Sequence, residues 1–173
     1  MKWKPKMMQD LSLRVVIVTG ANCGIGYHMA AGFASRDAIV IMACRNVEKG
    51  KAAREKLLKK YPGTMIHVME LDLADLESIG RFTDEILVKY KNLDILVNNA
   101  GVMIPPKSKT KDGFELQIGT NHLGHFALTG KLFPLLKSTP GSRVVTVSSI
   151  AHNIGEINLN DLNFENNFSS SRI

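Results

Sequence analysis

The chain has 173 residues, 45% of them hydrophobic and 22% charged, a composition that suits one globular domain and excludes a disordered or fibrous chain. Its formal net charge of +6 is compatible with nucleic acid, a membrane surface or an anionic ligand. Only two cysteines are present, Cys23 and Cys44, so no disulfide framework or metal-ligand spacing exists and a reduced, cytoplasmic location is expected.

Arg14 to Thr19 is a short β-branched run of the kind that forms a strand buried on both faces. Gly26 to Ser35 reads as a helix, Ala38 to Ala43 as a second strand, and Val47 to Tyr61 as a helix ended by Pro62-Gly63. Met65 to Leu71 is a third strand. Asp75 to Tyr90 has clear helical spacing, with Leu76, Ile79, Phe82, Ile86 and Leu87 on one face. Leu93 to Val97 is a fourth strand, Asp112 to Leu136 a long helix strained near Pro134, and Arg143 to Ser148 a fifth strand. Residues 153–171 are rich in Asn and Ser and read as a surface loop. Strand-helix alternation predicts an α/β fold: a doubly wound, Rossmann-type parallel sheet of about five strands with helices on both faces.

The basic stretch from Lys49 to Lys60 reads as the solvated face of a helix, and no nucleic-acid-binding signature accompanies it, so no nucleic-acid partner is expected. The longest apolar run, Ala38 to Cys44, is too short to span a bilayer, and Met1 to Lys6 does not read as a signal peptide. His122 and His125 stand three apart, but two ligands do not make a zinc site. His152 could line a substrate pocket, but it reads as a loop histidine.

The first strand ends in Gly20-Ala21-Asn22-Cys23-Gly24-Ile25-Gly26. Glycines at a strand-to-helix corner allow a sharp turn, let backbone approach a phosphate and let the helix pack closely on the sheet; the free N–H groups of the helix start then bind the anion. Gly20, Asn22, Cys23, Gly24, Ile25 and Gly26 are therefore candidate cofactor-binding residues. The pattern divides the chain into a polar extension (1–11), a dinucleotide-binding domain (12–152) and a surface loop (153–173).

The run Thr-Gly-x-x-x-Gly-Ile-Gly resembles the fingerprint of the short-chain dehydrogenase/reductase family. Other motifs continue the resemblance: Asp72-Leu73 after the third strand, Asn98-Asn99-Ala100-Gly101 after the fourth, Asn121 within Thr120-Asn121-His122-Leu123-Gly124, and Val147-Ser148-Ser149 at the end of the fifth. Ala43-Cys44-Arg45-Asn46 and Ser148-Ser149-Ile150-Ala151-His152 look most like the retinol-dehydrogenase-like branch. The resemblance implies cofactor contacts from Asp72, Leu73, Asn99, Ala100 and Gly101. It also implies a catalytic Ser149 that holds the reacting oxygen, and Asn121 supporting a water relay.

An NAD site usually carries an acid after the second strand. This chain has Arg45 there, suited to a 2′-phosphate through charge-assisted contacts, so NADP(H) is expected over NAD(H). The alternative is that Arg45 only caps the loop and faces solvent. The expected substrate is a small carbonyl or secondary alcohol, converted by hydride transfer.

The family's catalytic Tyr-x-x-x-Lys is not found: Tyr27, Tyr61 and Tyr90 are followed four residues later by Ala31, Met65 and Asp94. The expectation is a chain that stops before the catalytic helix and is inactive alone. Further strands and helices would be missing, leaving Val144, Val145 and Val147 on an open edge and Phe126, Leu128 and Leu132 exposed. A homo-oligomer built through such elements stays open. The other reading is a non-catalytic NADP(H)-binding or interaction protein.

Overall fold

The computed structural model describes residues 7–153 and 158–166. Strand and helix alternate through β1 (Val15–Thr19), α1 (Gly24–Ala34), β2 (Ile39–Cys44), α2 (Val47–Lys60), β3 (Ile66–Glu70), α3 (Leu76–Lys89) and β4 (Ile95–Asn98). There follow a one-turn α4 (Leu116–Ile118), a π-helical turn at Gly119–Leu123, α5 (Gly124–Ser138), β5 (Arg143–Thr146) and a 3-10 turn at Ile150–Asn153.

Among the described residues five strands form one parallel sheet, in the order β3-β2-β1-β4-β5. This is the doubly wound α/β sheet that the alternation predicts. Strand order reverses between β1 and β4, and a crevice at that switch point, beyond the strand C-termini, is where open α/β sheets bind ligands.

The period of two in β1 builds two cores. Val15 and Ile17 face Leu96, Ile79, Phe82, Ile86, Leu128 and Leu132, the layer of α3 and α5. Val16 and Val18 face Val40, Met42, Ala30, Ala34 and Leu57, the layer of α1 and α2. All of β1 is buried, which is why its sequence is a continuous apolar run rather than an alternation. At the foot of the sheet Asp94 ties β1 to β4. Its carboxylate accepts from Val15 N at 2.9 Å, from Asn92 Nδ2 at 2.6 Å and from Arg14, whose guanidinium lies 2.6 Å away.

The structure corrects several expectations. The long helix does not begin at Asp112: Thr110 to Phe114 form a tight turn closed by Thr110 N on the Phe114 carbonyl, with Gly113 at φ +89°, and the helix starts at Leu116. It is then interrupted by the π-helical turn. Leu128 and Leu132 are fully buried, because their helical face packs on α3; Phe126 and Phe133 are the exposed apolar residues of α5. The helix runs through Pro134. On α3 the buried stripe is Ser78, Ile79, Phe82, Thr83 and Ile86, whereas Leu76 and Leu87 are exposed at its flanks. Val144 and Val145 are exposed on β5, and Val147 is only partly so.

Part of the expected surface loop is anchored. Asn163 Oδ1 accepts from Glu115 N at 3.2 Å, and Lys109 pairs with Glu165 at 3.2 Å. Residues 154–157 and 167–171 of that expected loop lie outside the described residues.

Candidate functional site

A cavity of about 460 Å³ opens at the switch point. Gly20, Asn22, Cys23, Ile25, Gly26, Arg45, Asp72, Leu73, Asn99, Ala100 and Gly101 all line it. These are eleven of the twelve cofactor-binding candidates; Gly24 stands just outside the lining. Thr19, Asn46, Lys49, Val102 and Thr120 complete much of the wall.

The glycine-rich turn takes its shape from two distinct demands. Gly20 and Gly24 have φ of +65° and +55°, in the region that side chains disfavour. Gly26 has ordinary φ but no room: a Cβ there would lie 2.5 Å from both the Gly20 carbonyl oxygen and Asn99 Nδ2. Asn99 Nδ2 in turn donates to the Thr19 carbonyl at 2.8 Å, binding the turn after β1 to the end of β4. At the start of α1 no side chain caps the helix and no acid stands in its first turn, leaving free N–H groups and the positive end of the helix dipole beside the cavity.

Thr19, the first residue of the Thr-Gly-x-x-x-Gly-Ile-Gly run, is a hydrogen-bond hub. Its buried hydroxyl accepts from Asn99 N and Ala100 N, both at 2.9 Å, and lies 2.9 Å from His125 Nε2. His125 Nδ1 lies 2.9 Å from the Asn121 carbonyl oxygen. That oxygen can only accept, so Nδ1 carries a proton; in the neutral ring, which burial favours, Nε2 is then free to accept the Thr19 O–H. Burial holds the His125 imidazole below the usual histidine range; the Asn121 carbonyl pulls the other way, and His122 adds to the lowering.

Asn121 sits in the π-helical turn, next to Gly101. Such turns are rare and often mark functional sites. Its side chain grips Val102: Oδ1 accepts from Val102 N at 2.8 Å and Nδ2 donates to Val102 O at 2.9 Å. Asp72 Oδ1 accepts from Ala74 N at 2.9 Å, closing a turn over which Gly124 packs so tightly that a Cβ would meet the Leu73 carbonyl oxygen at 2.3 Å.

The cavity end beyond the C-terminus of β2 carries two cations. Arg45 and Lys49 both line it, and neither side chain has an ion-pair partner among the described residues. Asn46 caps α2 by accepting from Lys49 N at 2.9 Å, while the acid of that turn, Glu48, is engaged by Lys51 at 2.8 Å. Lys49 belongs to the stretch that reads as a solvated face; its place in the first turn of α2, just after the Asn46 cap, puts it in the wall instead. Cys44, at the end of β2, is buried and its thiol is pushed up to about 11, chiefly by burial, which makes it inert.

Ser149 and Asn121, the catalytic candidates, do not line this cavity. Ser149 is exposed after β5, its Oγ accepting from Ala151 N at 3.2 Å, and its carbonyl accepts from His152 Nδ1 at 2.6 Å. Among the described residues no group of three or more His, Cys, Asp or Glu could hold a metal ion; His125 is buried and His122 exposed, so they do not share an open face.

A family model for short chain dehydrogenases matches residues 14–160. The chain belongs to that family. Retinol dehydrogenase 12 of Homo sapiens is 49% identical over 156 residues, covering 90% of this chain and 49% of the relative. Retinol dehydrogenase 11 of Mus musculus is 46% identical over 157 residues, covering 91% and 50%. Among solved structures, an uncharacterized Mycobacterium paratuberculosis protein superposes with a TM-score of 0.86 at 45% identity, covering 99% of this chain and 59% of that one. A Shigella flexneri short chain dehydrogenase, solved in complex with NADP, gives a TM-score of 0.71 at 30% identity, covering 84% and 63%. The retinol-dehydrogenase-like resemblance is thus supported, and the chain spans about half the length of these curated relatives. The family is one of oxidoreductases that use nicotinamide cofactors.

Proposed function

We propose that the switch-point cavity is an NADP(H) site and that this chain is the cofactor-binding part of an oxidoreductase acting on a carbonyl or alcohol. The observation that carries the reading is the pairing of an uncapped α1 N-terminus, framed by Gly20, Gly24 and Gly26, with a β2 end that presents Arg45 and Lys49 and no acid. The first suits a pyrophosphate. The second suits a 2′-phosphate rather than a 2′-hydroxyl, which an Asp or Glu would hold. Asp72 and Leu73, after β3, and Asn99 to Gly101, after β4, also line the cavity, and in this reading Asp72 and Leu73 would take the adenine half of the cofactor.

When bound, the nicotinamide supplies the hydride chemistry. The chain's own part is to bind and orient it, and to offer the Ser149 hydroxyl to the reacting oxygen, with Asn121 on the π-helical turn supporting proton movement. No tyrosine in the 173 residues is followed four positions later by lysine, so the chain is expected to bind cofactor without appreciable turnover; a tuned acid typically contributes about 10²–10⁴-fold. The names of the relatives point to a retinoid-like, lipophilic alcohol or aldehyde as the substrate class. Two free thiols suit a reducing, cytoplasmic compartment.

Titration calorimetry of the chain with NADPH and NADH tests the reading. Saturable NADPH binding, about tenfold or more tighter than NADH, is expected from the charge-assisted contacts. Equal affinities would remove the 2′-phosphate assignment, and no binding of either would remove the cofactor site. NADPH binding without carbonyl reduction also fits a non-catalytic nucleotide-binding protein. Joining the chain to a segment that supplies Tyr-x-x-x-Lys separates the two readings.

A further inference from the structure

His125 is a buried titratable side chain with no part in the functional reading above, yet it joins three of the segments that build the site. Through Nε2 it reaches Thr19, at the end of β1; through Thr19 it reaches the amides of Asn99 and Ala100, after β4; and through Nδ1 it reaches the Asn121 carbonyl, inside the π-helical turn. The hydrogen-bond capacity along this path is used in one direction only. The Thr19 hydroxyl has two acceptor sites and one proton. The amides of Asn99 and Ala100 fill the two acceptor sites, so the proton has to point outwards. It has two candidate acceptors, His125 Nε2 at 2.9 Å and the Val97 carbonyl at 3.3 Å, and the nearer is the imidazole.

We propose that His125 is a positioning residue: as a neutral ring with its proton on Nδ1, it orients the Thr19 hydroxyl so that the Asn99–Ala100 backbone is held against β1, and it locks that wall to the turn that carries Asn121. A ring protonated on Nε2, whether cationic or in the other tautomer, would direct an N–H at a hydroxyl whose acceptor sites are both taken. The Asn99–Ala100 wall would then lose its hold. β1 and β4 contain no titratable side chain, and the titratable neighbour acting on the ring is His122, on the same stretch of helix. The consequence for ligand binding rests on the NADP(H) reading; the consequence for the wall does not.

The test uses the ¹⁵N-labelled 173-residue chain. Long-range ¹H–¹⁵N spectra at neutral pH are expected to show a protonated Nδ1 and an unprotonated Nε2 for His125, with slowly exchanging amides at Asn99 and Ala100. His125→Gln keeps an acceptor at the reach of Nε2, His125→Asn keeps a donor at the reach of Nδ1, and His125→Leu keeps neither. Leu and Asn are expected to shift the Asn99 and Ala100 amides, speed their exchange and weaken NADPH by about tenfold; Gln is expected to preserve the amide pattern and most of the affinity. A cationic or Nε2-protonated ring in the folded chain overturns the proposal even if the variants fail to fold. So do unchanged Asn99 and Ala100 amides in folded His125→Leu. Failure of the unsubstituted chain to bind NADPH overturns the cofactor reading and the ligand half of this proposal, while the tautomer and amide readouts still decide the rest.

Discussion

Asn121 holds Val102 as a neighbouring strand would: its amide oxygen takes the Val102 N–H at 2.8 Å and its amide nitrogen gives a hydrogen to the Val102 carbonyl at 2.9 Å. Val102 lines the cavity, so the π-helical turn sets the position of a cavity wall through this clamp. Asn121→Ala removes both bonds from an exposed site, and a local loss of about 1–2 kcal/mol is expected. Hydrogen exchange at the Val102 amide should accelerate about tenfold or more in that variant. Asn121→Asp keeps the acceptor and loses the donor, and should fall between. Unchanged exchange at Val102 in Asn121→Ala would show that the loop is held by other means.

Two glycines of α1 should respond to alanine in opposite ways. At Gly26 the added Cβ meets the Gly20 carbonyl oxygen and Asn99 Nδ2 at 2.5 Å, and the first of these is backbone that cannot yield without moving the turn. Gly26→Ala is expected to destabilise the chain by about 1–3 kcal/mol and to abolish NADPH binding. At Gly32 nothing lies within 4 Å of the added Cβ. Gly32→Ala, inside the same helix, is expected to stabilise by about 0.5–1 kcal/mol through helix propensity, with binding unchanged. Urea denaturation of both variants, read with NADPH titration, checks the pair.

Asp94 is buried and receives three donors, from Val15 N, Asn92 and Arg14. Asp94→Ala strands the Val15 amide and the Arg14 charge, and should cost about 2–4 kcal/mol. Arg14 is half exposed, so Arg14→Ala should cost under about 1 kcal/mol. A smaller loss for Asp94→Ala than for Arg14→Ala in thermal unfolding would contradict this account of the sheet's foot.

The sheet and the glycine turn were legible because each rests on local signals. Buried strands read as β-branched runs, and Gly20 to Gly26 sit between a strand and a helix. The π-helical turn was not legible: Gly119 to Leu123 keep helical spacing, and an extra residue per turn leaves no compositional mark. Leu128 and Leu132 were misread because their burial depends on α3, which is close in space and forty residues away in sequence. The pairing of Thr19 with His125 escaped for a similar reason. It spans 106 positions, and neither residue type announces a hydrogen-bond hub. Lys49 shows the limit of reading charge runs: the same lysine that suits a solvated face also reaches a cavity when the helix starts at its mouth.

Histidine ionisation gives the chain a pH window. Burial lowers His125 below the ordinary value of 6.5, with His122 adding to the effect; at His67, whose side chain is largely exposed, partial desolvation lowers it too, with Arg54 and Lys89 adding. The unfolded chain therefore takes up protons near pH 6.5 that the folded chain refuses until lower pH. The associated stability is fully present above that value and is lost as pH falls through it towards the folded pKa. Denaturant midpoints at pH 7.5 and 5.5 should show a lower midpoint in acid, and His125→Gln should reduce the difference. An equal pH dependence in that variant would assign the effect elsewhere.

Arg45 and Lys49 offer the sharpest separation of cofactor charge from cofactor shape. Both line the β2 end of the cavity, where Glu48 is occupied by Lys51. A dianionic 2′-phosphate would gain from both cations; a 2′-hydroxyl would gain from neither. Arg45→Ala and Lys49→Ala should each weaken NADPH by about tenfold while leaving NADH within about twofold, and the double variant should bring the two affinities together. Raising the salt concentration should weaken NADPH more than NADH in the unsubstituted chain, and this difference should vanish in the double variant. Arg45→Asp should go further and reverse the order, because it places an acid where an NAD site carries one. If both cofactors lose affinity equally in every variant, Arg45 and Lys49 shape the cavity but do not read the phosphate.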